Sequence, residues 1–180
     1  MDSLGKNVTE RLIIRLSEFE DCKYFYEWET NEEVSKYFSI PDKQDYNTVV
    51  KNFVIDSENN EVEQYTILTN HDHKPIGRIQ LGSISRKLDS LEIYRIYIGN
   101  TSLRNMGYGR EALRWCLDRA FKYDNFHRVY LDYYTGNENA AHLYETMGFY
   151  HIGLARGACK KNGKYYDVNL MDIIRDDYLK

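Results

Sequence analysis

The sequence predicts a single α+β domain in which a mixed, mostly antiparallel central sheet carries a β-loop-α-β unit and is flanked by helices. Three observations lead there. Strand-like segments outnumber amphipathic helical ones, turn signals join neighbouring strands in two places, and one strand, a glycine-containing loop, a helix and a further strand follow in direct succession. That last arrangement forces a parallel pair, because two strands joined through a helical crossover run the same way. At 180 residues, with 42% apolar residues and two prolines, the chain can bury one core without disulfides or a structural metal. No repeat, low-complexity run or linker divides it, so residues 1–10 read as an N-terminal tail and 11–180 as the domain.

The elements are justified in chain order. Arg11 to Leu16 (RLIIRL) is a short strand, and Ser17-Glu18-Phe19-Glu20 has the spacing of a capping box, Ser17 capping and Glu20 reaching back. The helix that follows places Phe19, Cys22, Phe25, Tyr26 and Trp28 on one buried face. Asp45 to Asp56 is a second helix with Val49, Val50, Phe53 and Val54 inward. Gln64–Thr69 and Ile76–Ile84 are strands flanking His71-Asp72-His73-Lys74-Pro75, a hairpin turn. Leu91 to Ile98 (LEIYRIYI) is a near-alternating strand, Leu103 to Gly109 a polar loop, and Arg110 to Tyr123 an amphipathic helix burying Leu113, Cys116, Leu117, Ala120 and Phe121. Arg128 to Tyr133 is a strand and Asn139 to Met147 a helix, with Gly148 where a left-handed cap belongs. Two last strands, Tyr150–Arg156 and Lys164–Ile173, bracket Asn162-Gly163, a tight-hairpin signal.

Composition narrows the function. A formal charge of −4, from 24 basic and 28 acidic residues, argues against a nucleic-acid binder and suits a cationic small substrate or peptide. The seventeen tyrosines are explained by half-buried strand positions; a base-stacking surface would need a basic groove. Cys22, Cys116 and Cys159 lie far apart and are odd in number, which suits a reducing compartment and neither a zinc site nor a disulfide framework. Met1 to Glu10 has no signal-type apolar run and no stretch is long enough to cross a bilayer, so no membrane partner is expected and the cytoplasm is the expected location.

The chemistry concentrates in the loop Arg104-Asn105-Met106-Gly107-Tyr108-Gly109 between a strand and a helix. A glycine-spaced turn at a helix N-terminus exposes backbone N–H groups toward an anion, and Arg104 and Arg110 add cations, so the natural ligand is a phosphate or pyrophosphate. A Walker loop is excluded by the missing Lys-Ser/Thr pair and a dinucleotide fingerprint by the missing third glycine. The glycine pattern alone leaves a plain helix connection equally open.

The loop reads R-x-x-G-x-G, and a second stretch reads Asn137-Glu138-Asn139-Ala140-Ala141-His142-Leu143-Tyr144-Glu145-Thr146-Met147-Gly148-Phe149. Together, in this order, they resemble the acyl-CoA pyrophosphate loop and the N-x-x-A-x-x-L-Y-E-x-x-G-F segment of the GNAT superfamily of N-acetyltransferases. The likeness runs from about Arg11 to the C-terminus, whose ending is similar to the ribosomal-protein alanine and spermidine N-acetyltransferase branch. It implies a GNAT-like fold and an acetyl-CoA-dependent N-acetyltransferase acting directly on a primary amine: a peptide N-terminus, a polyamine, an aminoglycoside or a similar small amine. The alternative is an acyl-CoA-binding sensor without transfer.

The resemblance also implies roles. Backbone groups of Ile96, Tyr97 and Ile98 would pair with the pantetheine arm in a splay between two strands; Arg104, Asn105, Met106, Gly107, Tyr108 and Gly109, with Arg110, would hold the pyrophosphate; Asn137, Asn139 and Ala140 would line the pantetheine channel. Tyr144 would be the general acid that protonates the departing thiolate, and Glu92 is the candidate base. From the residues alone, Tyr144 reads first as a core aromatic, a reading that the family motif reverses, and Glu92 reads equally as the solvent side of an alternating strand. Two departures stand out: Met106 and Asn139 occupy positions where the family often carries basic residues. Of the remaining features, His71 and His73 share a turn without a third metal ligand, so no metal is expected, and Cys116 reads as packing. Glu27, Glu29, Glu32 and Glu33 near Trp28 are either a face for a cationic acceptor or a solvated helix end. Self-association as a homodimer is left open.

Overall fold

The computed structural model, which describes residues 7–41 and 43–180, places seven strands in one sheet. They are β1 (Leu12–Leu16), β2 (Glu63–Thr69), β3 (Pro75–Ser85), β4 (Ser90–Ile98), β5 (Arg128–Tyr134), β6 (Tyr150–Lys161) and β7 (Lys164–Ile174), in the order β1-β2-β3-β4-β5-β7-β6. Each neighbouring pair is antiparallel except β4 with β5, which the crossover makes parallel. The helices are α1 (Cys22–Glu29), α2 (Glu32–Ser35), α3 (Tyr46–Ser57), α4 (Tyr108–Asp118), α5 (Glu138–Thr146) and α6 (Arg175–Tyr178).

Alternation along β2 and β3 separates two interiors. Tyr65, Ile67, Ile79 and Leu81 join the main core with Leu113, Leu117, Val129 and Leu131, beneath α4. The intervening Gln64, Thr66, Arg78 and Gln80 are buried on the other face, under α1 and α3, beside a smaller cluster of Cys22, Phe25, Trp28, Val34, Val49, Phe53 and Tyr97. Buried polar groups need partners, and most of these have them: Arg78 donates to Glu29 at 2.7 Å and to the Gln64 carbonyl at 2.6 Å through its two terminal nitrogens, its Nε alone lacking a partner among the described residues, and Gln80 donates to Asp56 at 2.8 Å.

Several local expectations shift. The capping box slides by one residue: the Glu18 N–H donates to Asp21 at 2.9 Å, while the Ser17 hydroxyl instead meets Thr66 at 2.9 Å. Asp21 is available for this because Arg15 pins its carboxylate at 2.7 and 2.9 Å. A 3₁₀ turn over Phe19–Asp21 then precedes α1, and this rotation leaves Phe19 and Tyr26 exposed rather than inward. In α3, Asp45 caps the Thr48 N–H and Val49 and Phe53 are buried, but Val54 lies on the solvent side. The long helix starts at Tyr108, two residues earlier than expected, and its last turn widens to π spacing over Arg119–Tyr123. α5 runs one residue ahead of the predicted limits. β6 extends to Lys161 by absorbing an irregularity between Ala155 and Cys159, where Gly157 takes a positive φ. The chain before Arg11 is held too: Val8 bridges Ile13, and the Thr9 hydroxyl donates to Glu111 at 2.6 Å.

Candidate active site

β4 and β5 pair only over Ser90–Glu92 and Arg128–Tyr130, although β4 continues to Ile98 and β5 to Tyr134. Beyond Glu92 the strands diverge into a fork. Its cause is a β-bulge: Arg95 pairs with Gln80 and Ile93 with Leu81, so Tyr94 is an extra residue that bends β4. The bulge also resets the strand's faces. Leu91, Ile93, Ile96 and Ile98 lie in or against the main core, while Tyr97 turns to the α1 side.

The fork edge of β4 carries free backbone groups. Gly99 donates to the Ile76 carbonyl of β3, and the Tyr97 carbonyl points so closely at β3 that a Cβ on Gly77 would lie 2.3 Å from it. Strand groups alternate in direction, so Ile96 and Ile98 present their N–H and C=O into the fork, whereas Tyr97 spends its own on β3. Of the three residues expected along this arm, two line it with their backbone. The Tyr97 side chain is buried and donates to Glu29 at 2.9 Å.

At the end of β4 a 3₁₀ turn (Thr101–Leu103) leads into the glycine loop. Asn105 and Gly107 both have positive φ, and Gly107 at φ 84° caps α4, a conformation that a Cβ would penalise. Glu111 is the first α4 residue to bond back to the loop, at Gly107, so the N–H groups of Tyr108, Gly109 and Arg110 are the helix's orphan donors. At Gly109 a Cβ would meet nothing within 4 Å, so its bare backbone faces open space.

The loop's charges differ from expectation. Arg104 donates to the Glu33 carbonyl at 3.2 Å, and Arg110 donates to Thr146 at 2.7 Å, tying α4 to the end of α5. Arg11, which the sequence did not single out, donates to the Met106 carbonyl at 2.8 Å and stacks its guanidinium 4.6 Å from the centre of the Tyr108 ring. Glu111 anchors the same arginine at 2.7 Å. Met106 itself is exposed, and Asn139 likewise.

α5 closes the site from the β5 side. Asn137 caps it, accepting from the Ala140 N–H at 3.3 Å, while Ala140 packs against the main core. The helix stops in a Schellman turn: Gly148, at φ 92°, donates to the Glu145 carbonyl and Phe149 to that of Tyr144, both at 3.0 Å. This turn fixes Tyr144, whose ring packs on Phe149 at 5.8 Å and Tyr133 at 5.7 Å. Tyr144 is 8% exposed, and its hydroxyl has no hydrogen-bond partner among the described residues. Burial, then the negative charge of Asp132, holds this phenol well above its ordinary range, so it keeps its proton.

Glu92 sits at the crotch of the fork, half-buried, accepting from Ser83 at 3.3 Å. Burial and the nearby Asp132 charge raise its pKa against the lowering effect of the Ser83 and Tyr130 hydroxyls. A carboxylate whose pKa is raised is a stronger base than an ordinary one, as a proton acceptor needs. Glu29 behaves in the opposite way. It is 2% exposed and held low despite its burial by Arg78 first, then Arg95, Tyr97 and Gln44. It is therefore a structural ion pair and neither of the two roles open to the Glu27–Glu33 group; Glu27, Glu32 and Glu33 are exposed.

The segment after α1 spans the two arms. Besides the Arg104–Glu33 bond at the β4 end, Ser39 and Tyr134 share a 2.9 Å hydroxyl contact, Tyr37 donates to the Gly136 carbonyl at 3.2 Å, and Lys161 of β6 donates to the Ser35 carbonyl at 2.7 Å. A cleft of about 450 Å³ lies elsewhere, on the outer side of α4 between Thr9–Arg11 and Arg114, Trp115 and Tyr123. Cys116 is buried, its thiol pushed up to about 12 by burial. No group of three His, Cys, Asp or Glu side chains gathers around a common point among the described residues, and none of their helices is long and apolar enough to cross a membrane.

A fork with free strand edges, an open helix N-terminus at one arm and a proton-bearing tyrosine at the other fits an acyl-CoA thioester. The family model for the acetyltransferase (GNAT) domain matches residues 11–150. The chain belongs to the GNAT acetyltransferase family. It is an acetyl-CoA-dependent N-acetyltransferase rather than a binding module without transfer. Spermidine N(1)-acetyltransferase of Vibrio cholerae is 25% identical over 172 residues, covering 96% of this chain and 98% of that protein. The uncharacterized N-acetyltransferase YnaD of Bacillus subtilis is 25% identical over 171 residues, covering 94% and 97%. Among solved structures, the fold matches spermidine N-acetyltransferase from Vibrio cholerae in complex with CoA and spermine, with a TM-score of 0.85 at 24% identity over 96% of this chain and 100% of that one. A dodecameric structure of the same Vibrio enzyme matches with a TM-score of 0.77 at 23% identity, over 96% of this chain and 98% of that one.

Proposed function

We propose that the fork between β4 and β5 holds acetyl-CoA as an added strand and that the protein acetylates a small primary amine, a polyamine-like acceptor before a peptide N-terminus. The observation that carries this reading is the termination of β4–β5 pairing at Glu92, which leaves Ile96 and Ile98 with backbone groups free for the pantetheine amides. The orphan N–H groups from Tyr108 to Arg110, with the loop from Arg104, take the pyrophosphate. They supply the positive end of α4, and Arg11 stands in for the cation missing at Met106. Asn137, Asn139 and Ala140 border the same channel at the start of α5. The preference for a polyamine-like amine rests on the acidic residues of the fork and on the acceptor of the Vibrio relative.

The chemistry balances with two protein groups. An alkyl ammonium loses one proton to Glu92, which passes it to water, and the neutral nitrogen attacks the thioester carbonyl carbon. The C–N bond forms, the C–S bond breaks, the second N–H proton leaves with amide formation, and Tyr144 protonates the departing sulfur before being reprotonated from solvent. One proton is released per turnover. Burial of Tyr144 keeps its proton available at neutral pH, and orientation beside the sulfur compensates for the mismatch between a phenol and a thiol. Tyr144→Phe tests the assignment: turnover, read as free thiol release with spermidine as acceptor, is expected to fall about a hundredfold with acetyl-CoA affinity unchanged. Full turnover across pH would remove Tyr144 from the role of acid.

A further inference from the structure

The first residues of the domain reach the glycine loop through one arginine. Two nitrogens of the planar Arg11 guanidinium are fixed: Nε donates to the Glu111 carboxylate at 2.7 Å and Nη1 to the Met106 carbonyl at 2.8 Å. The same plane stacks 4.6 Å from the centre of the Tyr108 ring. Glu111 is held in turn, because its other oxygen accepts from the Thr9 hydroxyl at 2.6 Å and from the Arg11 backbone N–H at 2.8 Å. Nη2 has no partner among the described residues, and a Cβ added to Gly107 would lie 3.2 Å from it, so the guanidinium also covers one side of the turn.

The Met106 contact governs the peptide that follows it. That peptide is trans and planar, so its C=O and N–H point in opposite directions. With the carbonyl drawn to Arg11, the Gly107 N–H is turned to the far side of the loop, where it has no partner among the described residues. Gly107 is left-handed and Tyr108 begins the right-handed α4. A left-handed residue next to a right-handed one turns successive N–H groups, here those of Gly107, Tyr108 and Gly109, toward one concave side that suits an anion. Without the arginine this peptide is free to rotate, and a carbonyl turned into the concavity would set partial negative charge against a diphosphate.

We propose that Arg11, locked by Glu111, is a positioning residue for the acyl donor: it holds the Met106–Gly107 peptide in the orientation that grips the diphosphate, and so makes the enzyme prefer acetyl-CoA to a thioester that ends at pantetheine. This inference rests on the glycine loop taking the pyrophosphate and adds what keeps the loop in shape and which part of the donor the enzyme depends on. Position and charge can be told apart here. A lysine carries the same charge, but it is a single point that cannot hold a carboxylate and a carbonyl at fixed angles while stacking on a ring. Glu111 separates the two effects by sign. If charge alone counted, removing a carboxylate beside the diphosphate would tighten binding; if the clamp counts, the same change loosens it.

The test measures CoA affinity by calorimetry, and kcat/KM for acetyl-CoA relative to S-acetylpantetheine with spermidine as acceptor, for wild type, Arg11→Lys and Glu111→Ala. Wild type should favour acetyl-CoA. Each variant should weaken CoA binding about tenfold, the worth of one hydrogen bond to a charged group, and lower the donor preference by a similar factor through KM, with a much smaller change in kcat. Transfer from S-acetylpantetheine shows that a variant is folded. Arg11→Lys matching wild type, or tighter CoA binding by Glu111→Ala, would overturn the clamp while leaving the loop as the diphosphate site. Equal losses with both donors would make Arg11 and Glu111 structural and overturn it as well. A wild type that binds CoA yet does not distinguish the two donors would remove the diphosphate from the loop, and this inference with it.

Discussion

Glu29 and Glu92 meet the same strand from the same side, yet the fold treats them in opposite ways. Glu29 reaches β4 from α1 and is surrounded by donors: Arg78 at 2.7 Å, Tyr97 at 2.9 Å, Gln44 at 3.0 Å and Arg95 at 3.4 Å. Glu92 belongs to β4 itself and receives only hydroxyls, with a second carboxylate, Asp132, close enough to be felt. The first arrangement closes on itself and fixes the helix layer to the sheet. The second is left electrostatically incomplete at the point where the sheet opens. A buried charge that is fully matched reports on architecture; one left unmatched beside a cavity reports on a ligand.

The comparison breaks most visibly at Arg78. Arg78→Ala should cost about 3 kcal/mol or more of stability, because it strands a buried carboxylate, and chemical denaturation would read it as a lower midpoint at unchanged slope. A loss below 1 kcal/mol would mean that Arg95, Tyr97 and Gln44 suffice for Glu29. Next in size, Glu92→Gln should reduce turnover about a hundredfold at neutral pH while leaving the melting temperature unchanged or slightly raised. The sign follows from its raised pKa: the folded state favours the protonated form, so stability is lost as pH rises through that pKa, and removing the charge removes the loss. A large drop in melting temperature would make Glu92 structural.

The smallest of these effects separates the two sites by pH. Asp21 and Glu29 are held below the ordinary carboxylate range, so their contribution is complete above about pH 4 and fades as pH falls through their folded values. Thermal melts across acidic pH should show that decline. Activity should fall earlier, with an acid limb in kcat/KM centred above the ordinary glutamate value of about 4.3, because Glu92 protonates first. Coincident loss of activity and stability would dissolve the distinction.

Much of this was legible in the chain before any coordinates. The order of strands and helices, the crossover, the Gly148 cap and the placement of Tyr144 on a short helix all follow from periodicity and glycine chemistry. The bulge was legible in principle: apolar residues at Leu91, Ile93, Ile96 and Ile98 break a period of two by one residue, the trace of an inserted Tyr94. What was hidden depended on distant partners. Ser17 and Glu20 have the spacing of a capping box, but Arg15 recruits Asp21 and moves the cap by one position. Arg11 is unremarkable in sequence and becomes a support of the glycine loop 95 residues away. Glu29 looked like surface and is buried because Arg78, on a strand whose other face is core, needed a counterion.

The central claim is that the fork, and not the cleft outside α4, receives the cofactor. Amide hydrogen exchange with and without CoA tests it directly. Exchange at Ile96 and Ile98, on the free edge of β4, should slow on CoA binding, while the amides of Trp115 and Tyr123 beside the outer cleft keep their rates. Protection confined to that cleft, with Ile96 and Ile98 unaffected, would contradict the account.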